Sequence, residues 1–300
     1  MPSNPRKQFG QHWLRSPAAL QSIIGAASVE VGDRILEIGP GEGVLTRELL
    51  SRAKQVIAVE IDRDLCANLR KSFDTELRSE KLSLVEGDFL SLSWNEVMAS
   101  SPDLPPDLPP NSFPKKVVAN IPYNITGPIL ERLLGRISTP RLPTFKTIVL
   151  LVQKEVAERI CAKSGSKSFG ALTVRMQYLA DCEWICAVPA RAFYPPPKVD
   201  SAVIRLRPRP CPTPAEDPNF LESLVKLGFT MKRKMLRNNL KGVVEGDRLQ
   251  AILVALGAKP EARGEELTLE QWVGLSNRLG AGQETAMAKT TKSETVMAKN

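Results

Sequence analysis

Arg34-Ile-Leu-Glu-Ile-Gly-Pro-Gly-Glu-Gly-Val-Leu-Thr46 is the stretch that decides the fold. Ile35, Leu36 and Ile38 form a short apolar run, as in a strand buried on both faces. Gly39, Gly41 and Gly43 follow at alternate positions, and Val44, Leu45 and Leu49 then fall at helical spacing. Strand, glycine turn, helix is the opening unit of an α/β nucleotide-binding sheet. The glycines permit a tight turn and close approach of a ligand to the backbone. Their spacing is Glu-x-Gly-x-Gly-x-Gly, with Glu37 on the strand, and not the Gly-x-Gly-x-x-Gly of dinucleotide sites. A ligand without a pyrophosphate fits this pattern; a plain βα turn is the competing reading.

Outward from this unit, further strand-like runs end in polar residues. Gln55 to Asp62 reads as a second buried strand, with Glu60 near its carboxyl end, where a carboxylate can accept both hydroxyls of a ribose. Leu82 to Phe89 reads as a third, bringing Asp88 to the same crevice, either as an acceptor for an adenine amino group or as a turn residue. Lys116 to Asn120 runs straight into Ile121-Pro122-Tyr123. Pro122 forces an extended conformation on Ile121, aiming the Asn120 amide and the Ile121 carbonyl into the crevice. With the Tyr123 ring, these groups can hold a planar base that carries an exocyclic amine. Strands at Lys146–Gln153, Cys182–Val188 and Ala202–Leu206 complete seven. Phe193-Tyr-Pro-Pro-Pro-Lys-Val-Asp-Ser201 offers a rigid aromatic, either a stacking platform for a base or a lid over the sheet.

Composition sets the bounds. Hydrophobic residues make up 42% and charged residues 25% of 300, as in a globular chain. No apolar run reaches the ~20 residues that cross a bilayer, so no membrane partner is expected. The polar, basic start Met1–Gly10 lacks the apolar core of a secretory signal. The five cysteines are odd in number and scattered, which fits reduced thiols in the cytoplasm. Cys182 and Cys186 have no second Cys pair, and His12 is the sole histidine, so buried thiols are expected and no metal. The same count argues against a Ser-His or Cys-His hydrolase. A net charge of +8 and a pI near 9.3 point to a polyanionic partner, most simply nucleic acid.

The remaining segments divide the chain. Residues 99–114 are proline-rich and read as a surface loop within a first domain, 1–206. Lys163–Gly170 reads as a flexible basic loop, and prolines from Arg207 to Pro218 mark a linker. Residues 207–280 read as a helical domain, with Thr268 capping its last helix. In this domain Lys232, Arg233, Lys234 and Arg237 cluster near a helix end, suited to phosphate contacts or to a solvated basic face. The repetitive 281–300 reads as a disordered tail.

Taken in order, the glycine loop, Glu60, Asp88, Asn120-Ile-Pro-Tyr123 and Phe193–Ser201 resemble the ribosomal small-subunit RNA adenine N6,N6-dimethyltransferases. The likeness runs from Lys7 to about Leu279. The glycine loop alone would imply only an S-adenosylmethionine methyltransferase. The resemblance implies a seven-stranded class I methyltransferase domain, Rossmann-like, and a small C-terminal helical domain. It implies S-adenosylmethionine held by His12, Leu14, Gly39, Gly41, Glu60, Asp88 and Asn120, and a small-subunit (16S) rRNA substrate with two adjacent adenosines near its 3′ end. The family pattern Gln-Asn-Phe-Leu is Gln11-His12-Trp13-Leu14 here, and imidazole can still hydrogen-bond. Asn120, Ile121 and Pro122 would present the adenine amine, Tyr123 and Phe193 would stack on the extruded base, and Lys232, Arg233, Lys234 and Arg237 would grip phosphates. A monomer acting during ribosome biogenesis is expected. A large-subunit rRNA adenine methylase and a non-catalytic assembly factor on the same fold are the alternatives.

Overall fold

The computed structural model describes residues 6, 10–99, 113–141 and 145–280. Residues 100–112 of the proline-rich stretch and the tail expected to be disordered, 281–300, lie outside these residues. The chain groups into two units, Met1–Gly135 with Arg141–Glu158 and Ala180–Arg209, and Arg136–Pro140 with Arg159–Leu179 and Pro210–Asn300.

The first unit carries a two-stranded ribbon and a seven-stranded sheet. The elements begin with β1 (Trp13–Leu14), α1 (Pro17–Ala27), β2 (Arg34–Ile38), α2 (Val44–Leu50), β3 (Gln55–Glu60), α3 (Arg63–Ser72), α4 (Asp74–Arg78), β4 (Leu82–Glu86) and α5 (Trp94–Ala99). They continue with β5 (Lys116–Asn120), α6 (Thr126–Leu134), β6 (Thr147–Gln153), α7 (Lys154–Ile160), whose last two residues fall in the second unit, β7 (Ala180–Val188), β8 (Phe193–Tyr194) and β9 (Ser201–Pro208); α8 (Ala171–Leu179), between α7 and β7, belongs to the second unit. The sheet order is β4-β3-β2-β5-β6-β9-β7, parallel except that β9 runs antiparallel to both neighbours. The order reverses at β2, and in open sheets ligands bind outside the carboxyl ends of the strands at such a point.

Local chemistry explains these elements. Ser16 caps α1 by accepting from the Ala19 amide, with Pro17 in the first turn where its missing N–H is harmless. Ile23, Ile24 and Ala27 of α1 pack in the core with Ile35 and Val118. Every residue of β3 is buried, as expected for a central parallel strand. Lys116, at the start of β5, is buried, and its ammonium meets Asp33 at 2.7 Å and the Ser28 carbonyl at 2.5 Å.

Two strands are shorter than the sequence implies. The second ends at Glu60 because Asp62 turns outward to cap α3, accepting from the Asp64 amide. The third ends at Glu86 because Asp88 folds into a turn, accepting from the Leu90 amide and the Ser91 hydroxyl. Cys182 and Cys186 are half-buried where buried thiols were expected, and none of the five cysteines is in a disulfide.

The second unit is mainly helical, with α9 (Pro218–Gly228), α10 (Leu236–Asn239), α11 (Gly246–Ala255) and a helix covering 269–280. Thr268 caps that last helix as expected, exchanging hydrogen bonds with Gln271. Trp272 is fully buried, donates to the Gly264 carbonyl and packs 5.4 Å from the Phe229 ring. The expected flexible loop at Lys163–Gly170 is instead tied down. Gly165 donates to the Glu265 carbonyl and Phe169 is buried, 6.3 Å from Phe229.

Gly43, which caps α2 with φ +80°, is constrained by both backbone and packing. A Cβ there would lie 2.5 Å from the Phe73 ring. Gly165 has a similar φ of +83° with open space around it. Gly165→Ala is therefore expected to cost only backbone strain, about 1–2 kcal/mol. Gly43→Ala adds a core clash and is expected to cost about 2–5 kcal/mol in a denaturant titration. Equal losses for the two would refute this account of the turn.

Candidate active site

The tips of β2, β3, β4 and β5 and the segment leading into β1 enclose one cavity. Gly39, Gly41, Glu60, Asp88, Asn120, Ile121, Pro122 and Tyr123 all line it, together with His12 and Leu14. Most of the residues singled out in the sequence thus meet in one place.

The glycine turn builds the floor. Gly39 and Gly41 have φ of +70° and +59°, left-handed values that favour glycine. The Gly39 amide donates to the Val59 carbonyl, locking the turn onto β3. The Gly41 amide donates to one oxygen of Glu60 at 3.1 Å, and the Asp62 amide donates to the other at 3.0 Å. Burial raises the Glu60 pKa, those two amides pull against the rise, and the Asp62 charge adds to it. Gln11 donates to Asp62 at 3.0 Å, tying the segment before β1 to the same corner.

The opposite wall is a relay of hydrogen bonds. The Asn120 carboxamide nitrogen donates to the His12 carbonyl at 3.1 Å, which fixes the amide with its oxygen as the acceptor. His12 Nδ1 lies 2.7 Å from the Pro195 carbonyl oxygen, and the imidazole stacks on Tyr123 with centroids 5.7 Å apart and planes at 24°. The Tyr123 hydroxyl bonds the Ser201 hydroxyl. Burial raises the Tyr123 pKa, the Ser201 hydrogen bond offsets part of this, and the Asp200 charge adds to it. The phenol is therefore neutral and serves as a flat, oriented surface.

Phe193 stands elsewhere. It is 4% exposed, packs in the core with Leu14, and is not among the cavity-lining residues. The β1–β8 pairing turns its ring inward and leaves the next ring, Tyr194, 57% exposed. Lys232, Arg233, Lys234 and Arg237 belong to the second unit, in the turn before α10 and on that helix, and all four are exposed. Lys232 donates to the Lys167 carbonyl.

Two cavity residues had no assigned role. Trp13 is buried beside the glycine turn, and a Cβ at Gly41 would come within 3.2 Å of its ring. Its indole N–H has no partner among the described residues. Glu37 is 1% exposed, and among the described residues neither carboxyl oxygen has a partner at full hydrogen-bond geometry, with the Thr46 hydroxyl beside it. Burial lifts its pKa to about 8, the Thr46 hydroxyl opposes that rise, and the Glu60 charge adds to it. An acid flanked by Leu36 and Ile38 inside a buried strand was the available signal, because isolated buried carboxyls are costly. An orphaned acceptor and an orphaned donor in one cavity are what a ligand with both kinds of group completes. The amino-acid end of S-adenosylmethionine, an ammonium beside a carboxylate, has this chemistry. No group of three or more His, Cys, Asp or Glu is placed to hold a metal among the described residues, and no helix there is long and apolar enough to cross a membrane.

A mostly parallel seven-stranded sheet with this glycine turn and these strand-tip acids defines a class I methyltransferase. The profile of the ribosomal RNA adenine dimethylase family matches residues 3–280, and the chain belongs to that family. It is 58% identical over 276 residues to a ribosomal RNA small subunit methyltransferase A from Nostoc sp., covering 92% of this chain and 98% of that one. It is 51% identical over 285 residues to the protein of that description from Synechococcus elongatus, covering 95% and 99%. Among solved structures, a dimethyladenosine transferase from Plasmodium falciparum superposes with TM-score 0.69 at 28% identity, covering 90% of this chain and 98% of that one. The 23S rRNA methyltransferase ErmE superposes with TM-score 0.68 at 32% identity, covering 89% and 99%. The chain is accordingly an rRNA adenine dimethyltransferase.

Glu37 makes stability depend on pH. Its folded pKa of about 8 lies above the ordinary 4.5, so the folded state keeps a proton that the unfolded chain releases. Its contribution is fully present below about pH 4.5 and is lost as pH rises towards about 8. Glu37→Gln is expected to flatten the fall in melting temperature across that window in the cofactor-free protein. An unchanged slope would show that Glu37 is ionised throughout.

Proposed function

We propose that this enzyme transfers methyl groups from S-adenosylmethionine to N6 of two adjacent adenosines near the 3′ end of small-subunit rRNA, as a cytoplasmic monomer without a metal. The observation that carries the proposal is the shared cavity, in which the glycine turn, Glu60 and Asp88 face Asn120-Ile-Pro-Tyr123. S-adenosylmethionine, bound, supplies an electrophilic methyl on a sulfonium. Gly39 and Gly41 give it backbone clearance, Glu60 accepts from the ribose, and Asp88 accepts from the adenine amine. Glu37 faces its cationic end, and His12 and Leu14 close the side of the site.

Adenine N6 is a weak nucleophile because its lone pair is delocalised into the ring. The Asn120 oxygen and the Ile121 carbonyl accept its two N–H groups and favour a pyramidal nitrogen. The lone pair then points along the transfer direction. Pro122 stiffens the corner, so these acceptors are aimed before substrate arrives, and positioning and electrostatics supply the rate. Tyr123 stacks on the extruded base, offsetting part of the few kcal/mol that unstacking costs. For the second methyl, N6 retains one N–H, and one of the two acceptors is enough to orient it.

The small subunit is favoured over the large by similarity. The relatives at 51–58% identity are small-subunit methyltransferases by description, whereas the 23S enzyme is at 32%. Lys232, Arg233, Lys234 and Arg237 are read as contacts to rRNA phosphates from the helical unit, 207–280 in its expected extent.

Transfer of label from the cofactor to unmethylated small subunits tests the reading. Asn120→Ala is expected to slow transfer by about two to three orders of magnitude. Equal labelling by wild type and variant, or labelling of purified large-subunit RNA in place of small subunits, would overturn it. Replacing Lys232 and Arg237 together by Gln is expected to weaken subunit binding and reduce the log–log salt slope by about 2, roughly one for each phosphate no longer neutralised. A slope equal to that of wild type would remove these cations from the interface.

A further inference from the structure

We infer that Tyr194 is a second stacking platform, outside the cavity, for the nucleotide next to the target adenosine, so that it sets the register of the rRNA strand. The inference rests on the rRNA reading proposed above.

Tyr194 is the only exposed aromatic residue among those described. Its ring lies 6.5 Å from that of Trp13, with planes at 31°. Trp13 is a wall of the cavity, so Tyr194 stands just beyond that wall. The backbone beneath it is held from several directions. Trp13 pairs with Tyr194 across the β1–β8 ribbon, His12 Nδ1 lies 2.7 Å from the next carbonyl, that of Pro195, and the Arg15 amide donates to the Ala192 carbonyl at 2.7 Å. Asp200 accepts from the Ala190 amide, closing the loop that carries the ring. A large apolar face on a fixed support, left in water, costs little entropy to use as a contact surface.

The charges around it fit a nucleic-acid strand. Arg191 and Lys198 on the same segment are exposed, and Arg15 is half exposed while paired to Glu42 at 2.7 Å. An aromatic face among cations is the arrangement that holds unpaired nucleotides, with the ring taking a base and the cations the backbone. Tyr123 serves the extruded base inside, and Phe193 is buried, so Tyr194 is the ring available to the neighbour. Two consecutive adenosines must enter the same cavity in turn. A fixed stack for the adjacent base keeps the strand from slipping while one of them is extruded.

The test compares Tyr194→Ala and Tyr194→Phe with wild type on unmethylated small subunits. Subunit binding, turnover, cofactor affinity and methylation at each of the two adenosines are measured. Tyr194→Ala is expected to lower kcat/KM for subunits roughly five- to a hundredfold, the range for removal of one base–aromatic stack. It should leave cofactor affinity unchanged and raise the fraction of rRNA methylated at only one adenosine. Tyr194→Phe, which keeps the ring, should behave as wild type. An alanine variant with normal subunit binding, kcat/KM and product distribution would overturn the inference. So would a parallel loss of cofactor affinity, which would mean that Tyr194 merely props Trp13. If wild type binds subunits without labelling them, the proposed reaction fails, while the binding comparison still decides the role of Tyr194.

Discussion

The structure depends on one turn made at the tip of β2. Within five residues the chain must leave a central strand, expose its backbone to the cavity and start α2. Gly39, Gly41 and Gly43 all take left-handed φ values to do so. The space that their side chains would fill is used by others, with Trp13 beside Gly41 and Phe73 with Leu69 beside Gly43. The turn is therefore fixed by packing as well as by backbone freedom. That packing couples three distant pieces of sequence, β1, the turn itself and the end of α3. The Gly41 amide then reaches Glu60, so the conformation of the turn also orients that acid at the cavity.

The other half of the site is organised from further away. Asn120, His12, Pro195, Tyr123 and Ser201 come from three separate stretches and are linked by two hydrogen bonds from or to His12, one stack and one hydroxyl pair. The hydroxyl, carboxamide and carbonyl groups of this wall are polar but uncharged. Tyr123 is held neutral and Asn120 cannot ionise, so the wall offers shape and fixed dipoles. That matches methyl transfer, in which the nucleophile needs its lone pair aimed more than it needs deprotonation. Loosening the Pro195 end would be felt at Asn120 through His12, which bonds to both.

Much of this was legible in the sequence, for identifiable reasons. Buried parallel strands leave dense apolar runs, and the turn chemistry of Gly39–Gly43 and Asn120–Tyr123 is local. Seven strands and the gathering of their tips followed from those signals. What the sequence hid depends on pairing between distant segments. Phe193 and Tyr194 are adjacent aromatics, and alternation across a strand sends one inward and one outward. Which is which was decided by pairing with Trp13 and Leu14, a two-residue strand too short to leave a pattern. Glu37 was visible as an acid in an apolar strand, but its lack of partners depends on the whole cavity. The loop at Lys163–Gly170 looked mobile by composition and is anchored by Glu265, about a hundred residues later.

The distribution of charge ties the two substrates together. The chain carries a net +8, yet the cavity at the strand tips is lined by Glu37, Glu42, Glu60 and Asp88. An acidic hollow in a basic protein is unfavourable to build, and Glu37, whose pKa is raised by burial first and by the Glu60 charge to a smaller extent, shows part of that cost. The arrangement makes sense if the hollow receives a cation and the outside receives a polyanion. In the proposed reaction the bound donor brings a sulfonium and an ammonium, and rRNA brings the negative charge. Lining acids would hold a cationic sulfonium donor more strongly than the neutral thioether left by transfer. The same acids that favour binding of the donor then favour exchange of product for a fresh cation, which an enzyme that must act repeatedly on neighbouring adenosines requires.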